Sequence, residues 1–322
     1  MKTIAIIAGG NSSEYPVSVK SAAGVAEQLK DRYETYIVTL RGSDWFWEGP
    51  RGIVYGINKN DFTMSPDDRK VRFDAAFIAI HGDPGENGVL QGYFDMIGIP
   101  YTGCKTFVSA LTFNKQACKL YLKEYGVPMT EGLLLRKGQN HDAAAIVKKL
   151  GLPLFVKPNA SGSSFGVTKV KAVTDFPEAL EKAFAEGPEV LAEAFMQGTE
   201  VACGVVKTRN RKIVMPVTEI VPKKEFFDYE AKYAGGLSDE ITPARLPADV
   251  TDKIQEYSSE IYDILGCSGI VRVDFIVTDG EPRFLEINTI PGMTGESIIP
   301  QQAKVFGIPL PDLYSMVIED LF

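Results

Sequence analysis

The feature that most constrains this fold lies at the start of the chain. Residues 3–8 form a short, branched apolar run closed by Gly9-Gly10. An uninterrupted apolar run, as opposed to an alternating one, reads as a strand buried on both faces, which is the habit of parallel sheets. Helical spacing follows over residues 18–30, with Val19, Ala22, Ala23, Val25, Ala26 and Leu29. Residues 33–40 and 73–80 read as further strands, the second ending at His81-Gly82. Strand, helix, strand implies an α/β domain with a parallel sheet. Ligands of such sheets sit beyond the carboxyl ends of the strands, where the loops 9–14 and 81–88 fall.

The rest of the chain changes character. A helix is expected over 106–125, closed by Gly126-Val127-Pro128, then a strand over 151–156 and a Gly/Ser-rich loop over 159–166. Residues 167–170 read as extended, 176–186 as a helix, and 191–195 as the start of a β-rich section. Strands are expected over 214–221, 269–277 and 283–287, and an amphipathic helical segment over 301–322. Residues 222–247 carry few periodic signals, and so long an irregular stretch in a compact protein is usually functional or mobile. These changes place domain boundaries near 104 and 187: an α/β domain over 1–104, then two α+β subdomains over 105–187 and 188–322.

Composition excludes several classes. The 322 residues are 45% hydrophobic and 24% charged, which rules out a disordered, collagen-like or coiled-coil chain. The longest stretches without a charge, 3–13 and 158–168, run 11 residues, short of the roughly 20 needed to span a membrane. Lys+Arg of 34 against Asp+Glu of 42 gives a net charge of −8, against a nucleic-acid or anionic-membrane partner. Cys104, Cys118, Cys203 and Cys267 form no CxxC pair, so zinc is not expected and a reducing compartment is. Gly9-Gly10-Asn11 interrupts any signal-peptide pattern. A cytoplasmic protein is the expectation.

Three segments carry chemistry. The dinucleotide motif GxGxxG and the phosphate loop GxxxxGK[ST] are both absent. Lys157-Pro158 leads into Asn159-Ala160-Ser161-Gly162-Ser163-Ser164-Phe165-Gly166, where small residues would let backbone amides approach an anion; the alternative is a surface loop. Arg272-Val273-Asp274 and Glu286-Ile287-Asn288 lie in successive strand candidates. Alternation puts Arg272 with Asp274 and Glu286 with Asn288, opposite the apolar Val271, Val273, Phe275, Leu285 and Ile287. Two carboxylates and an amide oxygen suit Mg²⁺; the alternative is a solvated hairpin face. A two-residue Asp279-Gly280 turn would put Asp274 and Glu286 on opposite faces, so a shared face calls for an odd loop around Gly280. The turn-rich segment 288–297 follows directly.

Together these segments describe a nucleotide–Mg²⁺ site without a phosphate loop, and here the sequence resembles the ATP-grasp ligases, within them the D-alanine–D-alanine ligases. The resemblance spans essentially the whole chain. It rests on Gly9-Gly10-Asn11-Ser12-Ser13-Glu14, His81-Gly82 with Gly85-Glu86-Asn87-Gly88, Asn114-Lys115, Val156-Lys157-Pro158, Ser161-Gly162-Ser163-Ser164, Asp228-Tyr229-Glu230-Ala231-Lys232-Tyr233, Arg272-Val273-Asp274, and Asn288 with Pro291-Gly292-Met293-Thr294 and Ser297.

The resemblance implies an ATP-grasp fold and the joining of two D-alanines through an acyl phosphate, for peptidoglycan precursors. It implies ATP and Mg²⁺ or Mn²⁺, as two ions, held by Asp274, Glu286 and Asn288. Lys115 and Lys157 match contacts to the α- and β-phosphates, Glu193 and Glu200 contacts to adenine and ribose, and Phe195 and Met196 the adenine edge. Lys232 matches a γ-phosphate contact, which makes 222–247 a lid. Arg272 and the Gly292 amide match oxyanion-stabilising groups. Glu14 matches the carboxylate that binds the first D-alanine, linked to Ser163 and Tyr233; His81 lies near that substrate, and Ser297 matches the hydroxyl for the second. A homodimer is implied too. Departures from the family pattern are Tyr15-Pro16, Phe227 and Asn114. The intact Glu230-Ala231-Lys232-Tyr233 points to an amine as acceptor. The rival readings are another ATP-grasp carboxylate–amine ligase, a D-Ala-D-Ser or D-Ala-D-lactate ligase, and a nucleotide-binding regulator with no ligase activity, which the intact Arg272 and Ser297 weigh against. On their own, His81 reads as a strand-end histidine, Glu14 as a helix-terminal charge, His141 as surface, and Trp45 and Trp47 as packing.

Overall fold

The computed structural model describes residues 1–162, 165–222 and 238–322. The first sheet has five strands in the order Val54–Gly56, Asp44–Glu48, Glu34–Arg41, Thr3–Gly9, Ala75–Ile78. Thr3–Gly9 pairs in parallel on both sides. Its apolar run is explained by two cores: Ile4, Ile6 and Ala8 pack into one, Ala5 and Ile7 into the other. The sheet is not parallel throughout. Asp44–Glu48 and Val54–Gly56 add an antiparallel ribbon, in which Trp45 meets Tyr93 edge-on and Trp47 stacks on Tyr55.

The second sheet runs Thr168–Val170, Leu154–Pro158, Glu189–Ala194, Gly132–Arg136, all antiparallel. Glu189–Ala194 lies beyond the expected boundary near 187 yet pairs here, because alternation marks a strand without saying which sheet receives it. One face, with Leu154, Val156, Val190 and Ala192, packs on helices Ala143–Leu150 and Phe176–Phe184. The other face presents Phe155, Lys157 and Glu193.

The third sheet runs Ser238–Ile241, Thr218–Pro222, Thr199–Lys207, Gly269–Thr278, Glu281–Asn288, with Lys212–Val214 paired to Thr199–Lys207. Val201, Cys203, Val205, Val271, Val273 and Phe275 share a core with helix Ala248–Leu265. The alternate positions Glu200, Arg272, Asp274 and Ile276 therefore face away from it. Part of the stretch 222–247 is regular: Ser238–Ile241 pairs with Thr218–Pro222. Residues 223–237 lie outside the described residues.

Two expected helices are broken. Residues 106–125 form Thr106–Phe113 and Lys115–Lys123, because Asn114 is extended (φ −84°, ψ 99°) and its side chain caps the second helix, accepting from Ala117 N at 2.9 Å. The C-terminal segment is Ile298–Phe306 and Leu310–Glu319, separated at Gly307. Leu313, Tyr314, Val317 and Ile318 return to the first sheet and helix Tyr15–Leu29. Tyr314 meets Phe77 edge-on at 5.7 Å, and each such fully buried side chain contributes roughly 2–3 kcal/mol. Among the described residues no helix is long and apolar enough to cross a membrane.

Candidate active site between the sheets

A cavity of about 400 Å³ opens between the polar faces of the second and third sheets, within the range of small-molecule sites. Phe155, Lys157, Glu193, Phe195 and Met196 line it from one side, and Glu200, Ile276, Leu285 and Glu286 from the other. A smaller cavity of about 130 Å³ adjoins it, lined by Glu14, His81, Glu86, Arg272, Asp274, Asn288, Gly292 and Ser297. The two share Lys115, Ser161, Gly162, Glu200, Ile220 and Glu286.

The expected acidic cluster converges by a different route. The hairpin turn is the two-residue Asp279-Gly280, with Thr278 paired to Glu281. The odd loop that a shared face seemed to need is absent. Instead the register shifts between Asp274 and Phe275: Phe275 pairs with Phe284, Asp274 with Glu286, and Arg272 with Asn288. Leu285 is the extra residue, so it joins the wall of the large cavity while Phe284 takes the core position expected of Leu285. This bulge puts Arg272, Asp274, Glu286 and Asn288 on one face. Arg272 grips Asp274 with two hydrogen bonds, 2.8 and 2.7 Å. Asn288 Oδ1 accepts from Ile290 N at 3.1 Å, which fixes its direction. Among the described residues no three His, Cys, Asp or Glu side chains form a metal cluster; the third donor here is the amide oxygen of Asn288. Each carboxylate has about four lone-pair sites, so the set retains acceptors for a hard divalent cation.

Lys115 stands in the first turn after the Asn114 break. Its Nζ donates to Ser161 O at 2.6 Å and lies 3.5 Å from Glu286. Lys157 and Lys119 both pair with Glu193, one on each carboxylate oxygen. All three are buried. Burial alone would raise the Glu193 carboxyl, but the two ammonium groups hold it down at about 2. Burial likewise opposes charge on Lys157, and Glu193 and Glu286 overcome it, so its ammonium holds its proton above the usual lysine range. Lys169 lies 4.3 Å from the Phe195 ring centre.

In the small cavity, Glu14 is buried at the N-cap position of helix Tyr15–Leu29. Gly162 passes so close to the Glu14 carboxylate that a Cβ would collide with it, and a Cβ on Gly292 would lie 2.7 Å from Ser297 Oγ. His81 Nδ1 lies 2.9 Å from Ile290 O and Nε2 lies 3.0 Å from Ser21 Oγ. A carbonyl only accepts, so Nδ1 carries the proton and Ser21 donates to Nε2. Burial keeps this ring neutral, pulling its pKa down against the pull of Glu14. His81 thus ties the first sheet to the 289–297 loop. Ser297 shares a hydrogen bond with Thr294, 2.8 Å. His141 lines neither cavity, and its Nε2 lies 2.9 Å from Arg136 O.

One residue had no role in the sequence reading. Glu86 is buried in the small cavity, and its Oε2 accepts from Gly82 N at 2.7 Å. Burial first, then the charge of Glu14, pushes its carboxyl up to about 8. Its motif Gly85-Glu86-Asn87-Gly88 was visible; the burial that matters was not. Ser163, Lys232 and Tyr233, with the segment from Asp228 and the lid residue Phe227, lie outside the described residues.

Residues 3–104 match the family profile described as D-ala D-ala ligase N-terminus, and residues 121–319 that described as D-ala D-ala ligase C-terminus. The chain belongs to the D-alanine–D-alanine ligase family. A relative from Phocaeicola vulgatus named D-alanine--D-alanine ligase is 52% identical, covering 100% of this chain and 99% of its own. Among solved structures, the VanG D-Ala:D-Ser ligase from Enterococcus faecalis superposes with a TM-score of 0.87 at 33% identity, covering 100% of this chain and 99% of its own. The D-alanine--D-alanine ligase from Bacillus anthracis complexed with ATP gives 0.79 at 30% identity, over 100% and 97%. The architecture is thus that of the family: a mixed α/β sheet followed by two antiparallel α+β layers.

Proposed function

We propose that this protein joins two D-alanines to D-alanyl-D-alanine with ATP, through an acyl phosphate, for peptidoglycan precursors. The observation that carries the reading is the shared wall of the two cavities. A slot of nucleotide size meets a small polar chamber along Lys115, Ser161, Gly162, Glu200 and Glu286. A phosphate at the end of the slot then faces an amino-acid carboxylate in the chamber.

The roles follow from placement. Phe195 and Met196 offer apolar surface to adenine, and Glu200 reaches the ribose. Lys115 and Lys157 set positive charge along the phosphates. Glu193 holds Lys157 beside the phosphates through one oxygen, and the lone pairs that its two lysines leave over face adenine. Asp274, Glu286 and Asn288 hold Mg²⁺ or Mn²⁺, two ions in the family reading, which neutralise phosphate charge when bound. Glu14 receives the first D-alanine's ammonium beside His81, and Ser297 receives the second one's carboxylate. Phosphoryl transfer needs positioning and charge neutralisation above all. The first carboxylate takes the γ-phosphoryl and ADP leaves. The second amine then attacks the acyl phosphate, and Arg272 and the Gly292 amide face the oxyanion that develops before phosphate departs. The family resemblance assigns Ser163 and Tyr233 to a link between the lid and Glu14, and Lys232 to the γ-phosphate, a set that would close the chamber to water.

The 50%-identical relatives named for D-alanine support D-alanine as acceptor, while the D-Ser-specific structure at 33% keeps D-serine as the rival. ADP release with D-alanine alone, and with D-serine or D-lactate added, decides between them when products are identified by mass. D-alanyl-D-alanine as the main product in every mixture is expected; a dominant mixed product reassigns the acceptor. A cytoplasmic homodimer completes the proposal, supported by the four free thiols and the family resemblance.

A further inference from the structure

Lys119 lies one helical turn beyond Lys115 on helix Lys115–Lys123 and behind the wall of the large cavity. Its side chain is 6% exposed and that of Glu193 is 3% exposed. Lys119, Glu193 and Lys157 form a row of three charges running from the helix to the cavity, with the carboxylate in the middle. Taking each ion out of water costs several kcal/mol, and apolar side chains of equal volume would serve packing as well or better. The sum of charges matters more. Glu193 and Lys157 alone are a neutral pair, so the lysine at the cavity would show phosphate little net charge. A second ammonium behind the carboxylate, held charged by Glu193 against the burial that pulls its pKa down, restores a charge of +1 to the row.

We propose that Lys119 is a positioning residue for nucleotide phosphate: by holding one oxygen of Glu193 it leaves Lys157 with net positive charge toward the cavity. The inference rests on the ATP reading of that cavity and extends it to a residue that does not touch the nucleotide. Its signature is selective. Lys119 governs affinity for the phosphates and leaves the nucleoside pocket alone.

The test is calorimetric binding of Mg-ATP and of adenosine to the full chain, as wild type, Lys119→Gln, and Lys119→Gln with Glu193→Gln, with thermal melting to confirm folding. Glutamine at 119 still offers Glu193 a donor but no charge. Lys119→Gln is expected to weaken ATP on the order of tenfold, the scale of one charge-assisted contact, while adenosine binding stays near wild type. In the double variant, with the opposing carboxylate also neutral, any loss at adenine falls on ATP and adenosine alike, and the preference for ATP over adenosine is expected to recover. Equal losses for ATP and adenosine would show a merely structural role and overturn the inference, as would unchanged ATP binding. If Lys119→Gln does not fold, the double variant still decides. Its net charge matches wild type, so its preference for ATP over adenosine should persist, and collapse of that preference overturns the proposal. Wild type that binds no ATP sinks the nucleotide reading itself.

Discussion

Arg272 holds two positions at once. It pairs with Asp274 through Nε and Nη2 at 2.8 and 2.7 Å and lines the chamber proposed to hold the developing oxyanion. Arg272→Met should therefore cost about 10²–10³ in kcat, the scale of a lost oxyanion donor. It should also cost roughly 3 kcal/mol in denaturant unfolding, because Asp274 stays buried without its partner. Glu86 and His81 titrate in opposite senses. The folded state holds the Glu86 proton up to about pH 8, so its stabilising share is complete below the ordinary carboxylate range and is lost as pH rises toward 8. His81 is held neutral, so the share it contributes is present above its ordinary 6.5 and is lost as pH falls below that. Glu86→Gln should accordingly flatten the fall in melting temperature between pH 6 and 8 while leaving the acid limb in place. A variant whose alkaline limb matches wild type would contradict the burial account of Glu86.

At the scale of elements, two local irregularities position the site. The break at Asn114 starts a new helix at Lys115, and Asn159, the first residue after strand Leu154–Pro158, fixes the break by donating to Asn114 Oδ1 at 2.9 Å. Asn114→Ala should remove the cap, costing about 1 kcal/mol in thermal or urea unfolding, and should raise the KM for ATP because Lys115 loses its fixed origin. The bulge at Leu285 brings Glu286 across from Asp274. Neither device was legible in the sequence, and for the same reason. Periodicity reports which residues are apolar, whereas a helix break or an extra strand residue depends on pairing with distant partners. The buried strand at Thr3–Gly9 and the helix after it were legible because each follows from a local pattern, whereas the shared face of residues 272–288 was expected through an odd loop and is reached through the bulge. The ribbon at Asp44–Glu48 escaped because its tryptophans find their partners, Tyr36, Tyr55, Tyr93 and Phe62, at distant positions that local periodicity does not report. Glu86 and Lys119 escaped because a charge in the sequence carries no sign of its burial.

For the whole molecule, the last two helices pack against the first sheet, with Arg32 bonded to Asp312 at 2.5 Å and to Ser315 at 3.1 Å. The chain thus closes on itself, and the chamber is built from its first loop, Glu14, and its late loop, Gly292 to Ser297. That geometry underlies the proposal that a phosphate in one cavity meets a carboxylate in the other. The direct measurement uses D-alanine labelled with ¹⁸O in its carboxyl group, Mg-ATP and the full chain, with the released phosphate and the dipeptide analysed by mass. Each dipeptide formed should be matched by one phosphate that carries a single ¹⁸O from the substrate carboxylate. Dipeptide formed with unlabelled phosphate, or ADP released without dipeptide, would contradict it.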